Sequence, residues 1–341
     1  MITLVDGPLG TELIARGVPL DSDQWSAEAL RTAPDLISQI HAEYLSAGAQ
    51  VHTANTFRTG PAHCETRWRE LTQQAVSLVN QQIQEYKQQK STKGTPADSR
   101  PSEASPSGPK VGPKVTDSTA SDPKSQYRLA GSIGPVADCY RPDLSPGQES
   151  QGPHCEMAHY LVECGCDILF CETFANSDEA TTAVREAAKT GHETWISLTA
   201  GPEADLMSPR AMATLAARCA EAGAGAVFVG CTPAACSLNY LREIEKLNLG
   251  IALGVSANAG PINGDYGWHS VIDRENKRTN AHATAAERYA DIALHWVDHG
   301  ATLVGACCGC SPQHIAALAK IRSAGKPLEA RSRMKVTDKS Q

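Results

Sequence analysis

Four stretches of the chain repeat one order of polar and apolar positions: "AGAQVHTANTF" from Ala47, "CGCDILFCETF" from Cys164, "AGAGAVFVGCT" from Ala222 and "HGATLVGACCG" from His299. Each has a glycine that suits the left-handed residue closing a helix, followed by an apolar run that suits a strand buried on both faces. Gly48 to Asn55, Gly165 to Glu172 and Gly300 to Cys307 each span seven positions, and Gly223 to Cys231 spans eight. Side chains with chemistry therefore fall at strand C-terminal ends. Ile2–Val5, Arg128–Ser132, Thr194–Leu198 and Ile251–Ser256 read as further buried strands, which makes eight. Helical patterns lie between most of them, as over Asp35–Ala47, Trp68–Tyr86, Ser177–Lys189, Ser208–Ala222, Ala283–His299 and Ser311–Ser323. Eight strands alternating with helices predict an α/β fold of the (β/α)8 TIM-barrel type, with the site at the strand C-terminal face. A doubly wound open sheet is the rival, but "DGPLG" after the first strand is not a dinucleotide-binding glycine loop.

The pattern fails in two places. Residues 91–126, "STKGTPADSRPSEASPSGPKVGPKVTDSTASDPKSQ", contain no aromatic residue and only two valines as large apolar side chains. Such a segment buries too little surface to offset its ordering entropy, so a disordered surface insertion is expected. The polar stretch 326–341 reads as a flexible tail. The expected organisation is a single barrel domain over 1–325, interrupted by 91–126.

Of the 341 residues, 41% are hydrophobic and 20% charged, an ordinary globular balance. The formal net charge of −7 gives no electrostatic footprint for nucleic acid or an anionic membrane. Small-molecule partners are expected, with no nucleic acid and no membrane. "MITLVDGPLGTEL" lacks the basic start and apolar run of a secretion signal, and no stretch of about 20 apolar residues occurs, so a cytoplasmic protein is expected. Twelve cysteines in a reducing compartment then read as buried small hydrophobes, metal ligands or reactive thiols rather than as a disulfide framework.

The run "GACCGC" sets Cys307, Cys308 and Cys310 within four positions. Neighbouring residues on a strand face opposite ways, but a turn at the strand end lets both thiolates of Cys307 and Cys308 face one ion. The spacing is not that of a closed zinc ribbon, so a metal here needs a distant third ligand, and Cys231 at another strand end supplies one. Three thiolates favour zinc and leave the fourth tetrahedral position for a substrate. The competing reading makes the same run a set of small residues packing a tight turn.

Seven motifs in order, "DGPLGTEL", "TANTFR", "AGSIGP", "DILFCETF", "VGCTP", "SANAG" and "GACCGCSPQHI", resemble the homocysteine S-methyltransferase family across nearly the whole chain outside the insertion and tail. The resemblance implies a (β/α)8 barrel holding Zn2+ on Cys231, Cys307 and Cys308, and places Asp6 and Glu172 at the homocysteine pocket. Two positions depart from the family pattern. Gly230 stands where Asn is usual, and Cys310 stands where Thr is usual. The first alters what supports the ion's ligands, and the second offers a fourth sulfur that would compete with substrate.

A thiol coordinated to zinc loses its proton, so the substrate becomes a nucleophile without a protein base, and no catalytic residue beyond that thiol is assigned. The ammonium of homocysteine calls for an anion, which Asp6 and Glu172 offer, and backbone N–H groups around Gly7 offer donors to its carboxylate. Asn55, Thr56, Ser197 and Asn258 fall at other strand ends as substrate- or zinc-orienting candidates, and Phe57 and Tyr140 lie in loops that could meet a cationic donor. The resulting expectation is a zinc-dependent enzyme that moves a methyl group from a small cationic donor to homocysteine, giving methionine. S-methylmethionine, S-adenosylmethionine or a betaine-like compound would serve as donor. The alternatives are a methyltransferase for another small thiol or selenol such as selenocysteine, and a zinc–thiolate protein without turnover.

Overall fold

The computed structural model describes residues 2–20, 24–93, 126–259 and 284–324. Eight strands, β1 (Thr3–Leu4), β2 (Val51–Ala54), β3 (Arg128–Ile133), β4 (Ile168–Phe174), β5 (Glu193–Leu198), β6 (Ala226–Pro233), β7 (Ala252–Asn258) and β8 (Ala301–Val304), pair in parallel. They follow one another from β2 to β8, and β1 sits beside β8 with Thr3 opposite Leu303. The ring closes where Val5 bridges Val51, flanked by hydrogen bonds from Asp6 N to Val51 O (3.0 Å) and from Gln50 N to Leu4 O (2.8 Å). This is the (β/α)8 barrel that the alternating pattern predicts.

The helices are α1 (Gly10–Ala15), α2 (Ala29–Thr32), α3 (Pro34–Ala47), α4 (Trp68–Lys93), α5 (Gln151–Glu163), α6 (Ser177–Ala188), α7 (Pro209–Glu221), α8 (Ala234–Glu245), α9 (Ala285–Asp298) and α10 (Pro312–Ala324). Local chemistry sets their ends. The Asn176 side chain accepts from Asp178 N and Glu179 N, Ser208 accepts from Ala211 N ahead of Pro209, and Thr284 and Glu287 form a reciprocal capping box. Gly48, Gly165, Gly223 and Gly300 all have φ between 85° and 114°, the left-handed geometry inferred from the repeated junction.

α4 runs seven residues beyond the expected Tyr86, because Lys and Gln propagate a helix readily even where no apolar face marks it. Its last residues cross the expected insertion boundary at Ser91. Residues 94–125 of that insertion, and the tail 326–341, lie outside the described residues. α5 and α8, which were not among the helical patterns read from the sequence, complete the ring. α5 carries Gly152 and Pro153 in its first turn, and α8 starts directly after Pro233 with no side-chain cap.

Two apolar layers hold the barrel. Inside it, Val5, Val51, Ile168, Phe170, Trp195 and Phe228 are among the residues of a compact buried cluster. The rings of Phe170, Trp195 and Phe228, from adjacent strands β4, β5 and β6, meet with centroids 4.9–5.7 Å apart. The larger outer layer, with Ile37, Ile40, Leu161, Leu241 and Trp296, joins barrel to helices. The inner aromatic plug fills the barrel below its C-terminal mouth, which leaves the mouth to polar groups.

All twelve cysteines are free thiols, and Cys64, Cys166, Cys171, Cys219 and Cys310 are buried away from solvent as small hydrophobes. Among the described residues, no helix is long and apolar enough to cross a membrane.

Candidate active site

Strict alternation along β6 sends Ala226, Phe228 and Gly230 into the barrel and would turn Cys231 out toward the helices. The strand breaks that rule. Between Gly230 and Pro233 its register against β7 shifts, and Cys231 takes a left-handed backbone with φ 45°. The bulge brings the Cys231 side chain to the mouth. Thr199 Oγ1 donates to Cys231 O (3.0 Å), Thr232 Oγ1 donates to Gly230 O (3.1 Å), and the Thr232 hydroxyl accepts from Ala200 N (3.0 Å). A Cβ on Gly230 would lie 1.9 Å from Ser197 Oγ, so the hydroxyl of Ser197 occupies the space that a larger residue at 230 would need.

Cys307 and Cys308 follow β8 by three and four residues. Cys307 N donates to Ala257 O (2.9 Å) and Cys308 O accepts from Ala259 N (2.9 Å), so the run stays pinned to β7. Cys310 N then turns back to Cys307 O (3.1 Å), and Gly309, at φ 80°, donates to Thr11 Oγ1 of α1 (3.3 Å). The turn lets two successive thiols face one point. The sulfurs of Cys231, Cys307 and Cys308 all lie within 4.8 Å of one another, Cys231 buried and the other two partly open.

Three sulfurs on a tetrahedral zinc stand about 3.8 Å apart for a Zn–S bond of about 2.3 Å, so small side-chain adjustments accommodate that ion. The thiols also perturb one another. Hydrogen bonds from Cys231 and Cys307 hold the Cys308 thiol well below its ordinary range, while hydrogen bonding with Cys231 and Cys308 pushes Cys307 well above it. A divalent cation shared by the three sulfurs would relieve this mutual perturbation.

Cys310 is not the fourth member. It is fully buried, its Sγ points at Ala257 O at 3.9 Å, and it sits beside Tyr289, whose hydroxyl bonds Ala257 O and Gly305 O at 3.0 Å each. The four-sulfur arrangement that would leave no room for a substrate is therefore absent among the described residues.

Two carboxylates share the mouth. Asp6, 4% exposed, accepts from Thr53 N (2.8 Å) and Thr53 Oγ1 (3.0 Å), and burial raises its pKa well above the ordinary value, with the charge of Glu172 adding to the rise. Glu172 accepts a short hydrogen bond from Ser132 Oγ. Enclosure of its carboxyl pushes its pKa up to about 7, the Ser132 hydroxyl opposes that rise, and the charge of Cys231 adds to it. The Asp6–Gly7 turn rests on Tyr44: its hydroxyl donates to Pro8 O (3.0 Å), and a Cβ on Gly7 would fall 2.6 Å from it.

The other strand-end residues divide. Asn258 is 5% exposed with its Oδ1 unpartnered among the described residues, an acceptor awaiting a donor. Asn55 Nδ2 donates to Ser26 O (2.8 Å), and Thr56 Oγ1 both donates to Ser132 O and accepts from Ser132 N at 2.8 Å. These two side chains are committed to the protein and hold Ser26 and Ser132 in place. Phe57 is partly buried, with the Arg58 guanidinium 5.2 Å from its ring and Trp25 edge-on at 6.2 Å. Tyr140 stands beside the sulfurs, its hydroxyl pushed up first by the charge of Cys231, then by burial.

Sequence reasoning missed Thr53, Ser132 and Thr173. Thr53 lies two residues from Asn55 and so shares its face of β2, a signal that period-2 reading could have used. Thr173 Oγ1 lies 3.4 Å from Cys231 Sγ, and its direction depends on a backbone distortion that no residue pattern announces.

Fold and site together define a (β/α)8 barrel enzyme whose mouth gathers three thiols beside two carboxylates. A family model described as homocysteine S-methyltransferase matches residues 3–322, and the chain belongs to that family. It is 28% identical to homocysteine S-methyltransferase YbgG of Bacillus subtilis (strain 168), over 93% of each chain. It is 26% identical to a selenocysteine Se-methyltransferase of Brassica oleracea var. italica, over 93% of this chain and 88% of that one. The crystal structure of the homocysteine methyltransferase MmuM from Escherichia coli, metallated form, superposes with a TM-score of 0.67 at 26% identity, covering 94% of this chain and 96% of that one.

Proposed function

We propose that this chain transfers a methyl group from a small cationic donor to the thiol of homocysteine, yielding methionine, with Zn2+ held by Cys231, Cys307 and Cys308. The proposed donor is S-methylmethionine, S-adenosylmethionine or a betaine-like compound. The observation that carries the reading is the convergence of three sulfurs within 4.8 Å at a barrel mouth that also holds Asp6 and Glu172. When bound, zinc supplies the Lewis acidity that lets a substrate thiol ionise at neutral pH.

The chain's own residues bind and orient. Asp6 and Glu172 take the substrate ammonium, and Asn258 Oδ1, unpartnered among the described residues, adds a third acceptor for its N–H groups. Ser132 and Thr53 fix the two carboxylates, while Thr56 holds the Ser132 backbone on β3 and Asn55 holds Ser26. Ser197, packed against Gly230, shapes the floor beneath the sulfurs, and backbone N–H groups at Gly7 receive the substrate carboxylate. The new S–CH3 bond forms as the donor's S–C or N–C bond breaks, the donor leaves as a neutral sulfide or amine, and the thiol proton goes to solvent. Positioning for in-line displacement supplies the acceleration. The reaction belongs in the reducing cytoplasm, where twelve free thiols persist.

The test is to incubate zinc-loaded protein with homocysteine and a panel of sulfonium and betaine donors and to assay methionine. Methionine formation with one donor class is expected, and Cys308→Ala should lose both metal and turnover. An active, metal-free Cys308→Ala protein would overturn the reading. The relative named for selenocysteine makes a selenol the second acceptor to try, by direct competition against homocysteine.

A further inference from the structure

β4 and β6 depart from regular geometry at matching heights. The β4–β5 register shifts between Cys171 and Phe174, as the β6–β7 register does between Gly230 and Pro233. Each break contains a non-glycine residue with left-handed backbone, Thr173 at φ 64° and Cys231 at φ 45°. For a β-branched residue that conformation is a genuine outlier, held only because the surrounding structure demands it. Regular alternation from the inward Phe170 and Glu172 would send the Thr173 side chain outward to the helices. The distortion turns it back, and its Oγ1 lies 3.4 Å from Cys231 Sγ in a buried setting.

From this geometry we infer that Thr173 is a positioning residue of the sulfur cluster, whose hydroxyl donates a hydrogen bond to the Cys231 sulfur and sets the charge that sulfur offers to a bound metal. The inference rests on the three-cysteine metal site proposed above. The direction of the bond follows from protonation. In the thiol form either atom can donate, but a sulfur that ligates a cation has lost its proton and only accepts. The hydroxyl then satisfies a buried anion that would otherwise lack that partner and draws electron density from it. Thr199 and Thr232 act differently, since both bind backbone oxygens flanking the ligand rather than the sulfur itself. Thr173 therefore acts on the electronics of the ligand, and its neighbours act on its place.

The experiment compares the full-length wild type with Thr173→Val, which keeps the shape and branching but has no hydroxyl, and Thr173→Ser, which keeps the hydroxyl. Zinc affinity is measured by chelator competition, and the sulfur-to-metal charge-transfer absorption is recorded after loading with Co2+. Thr173→Val should bind zinc roughly 10- to 100-fold more weakly, the usual consequence of losing a partner to a ligand. Its Co2+ band should move to lower energy, because a sulfur relieved of its hydrogen bond is more electron-rich. Thr173→Ser should retain both properties. Thr173→Ala also lacks the hydroxyl and relieves crowding at the left-handed backbone, so it carries the same expectation should Thr173→Val fail to fold. Wild-type affinity together with an unshifted band in the hydroxyl-free variants overturns the inference alone. A wild type that takes up neither ion, or a Cys308→Ala variant that binds as well as wild type, overturns the metal site and this inference with it.

Discussion

The lower and upper halves of β4, β5 and β6 are one set of strands doing two jobs. Below, the register is regular and alternation delivers Phe170, Trp195 and Phe228 into a close-packed aromatic plug. Above, the ladders of β4 with β5 and of β6 with β7 slip, two residues adopt left-handed backbone, and the side chains turned to the mouth beside Glu172 are Thr173 and Cys231. Regular geometry gives stability because each inward side chain meets another. Broken geometry aims groups that alternation would have hidden, and the cost is carried by the plug beneath. The division of labour between floor and mouth is thus written into the backbone as well as into residue type.

That contrast can be broken from either side. The largest effect is expected on stability from Phe228→Ala, which removes a ring touching both Phe170 and Trp195 and should cost about 3–5 kcal/mol in urea unfolding. Cys308→Ala should hardly move the same unfolding curve in metal-free protein, and a comparable loss from the two variants would mean that floor and mouth are not separate. Next comes Glu172→Gln, which keeps shape and removes charge. The loss of a charge-assisted hydrogen bond, about 1.5–3 kcal/mol, should raise KM for homocysteine roughly 10- to 150-fold. An unchanged KM would remove Glu172 from the substrate pocket.

The smallest effect concerns pH. Enclosure holds the Glu172 carboxyl at about 7, so it is protonated below that value and charged above it. Affinity for an ammonium-bearing substrate should therefore fall as pH drops below about 7. The Ser132 hydroxyl favours the charged form, so Ser132→Ala should move the inflection to higher pH in a profile of kcat/KM, and a shift downward would contradict the assigned roles. The stability contribution has the opposite sign. A carboxyl raised above its unfolded value of 4.5 lets the folded state hold the extra proton between about 4.5 and 7. That contribution is complete below 4.5 and is lost as pH rises through 7.

Much of this was legible in order along the chain. Gly48, Gly165, Gly223 and Gly300 marked the junctions because few residues but glycine take the left-handed geometry cheaply, and all four have it. Cys231, Cys307 and Cys308 were legible as a trio because thiols at strand ends are read by counting from those glycines. α5 and α8 were less so, since an early Gly-Pro pair and an uncapped start blur a helical period. Cys310 was legible as a sulfur near the other two, but not as one turned away, because its direction is set by Tyr289 and Ala257 from other elements. Thr56 looked like a free polar group at a strand end, and its hydroxyl is instead consumed by the backbone of Ser132 on the next strand.

The sequence by itself determined the strand and helix alternation, the barrel it implies and the residue types gathered at one face, because periodicity and glycine placement are local properties. Tertiary structure alone decided which of those side chains meet. Closure through Val5 and Val51, the bulges at Thr173 and Cys231, and the turn after Cys308 are consequences of strands competing for register around a filled floor. No single segment encodes that competition, and it turns a list of strand-end residues into a site.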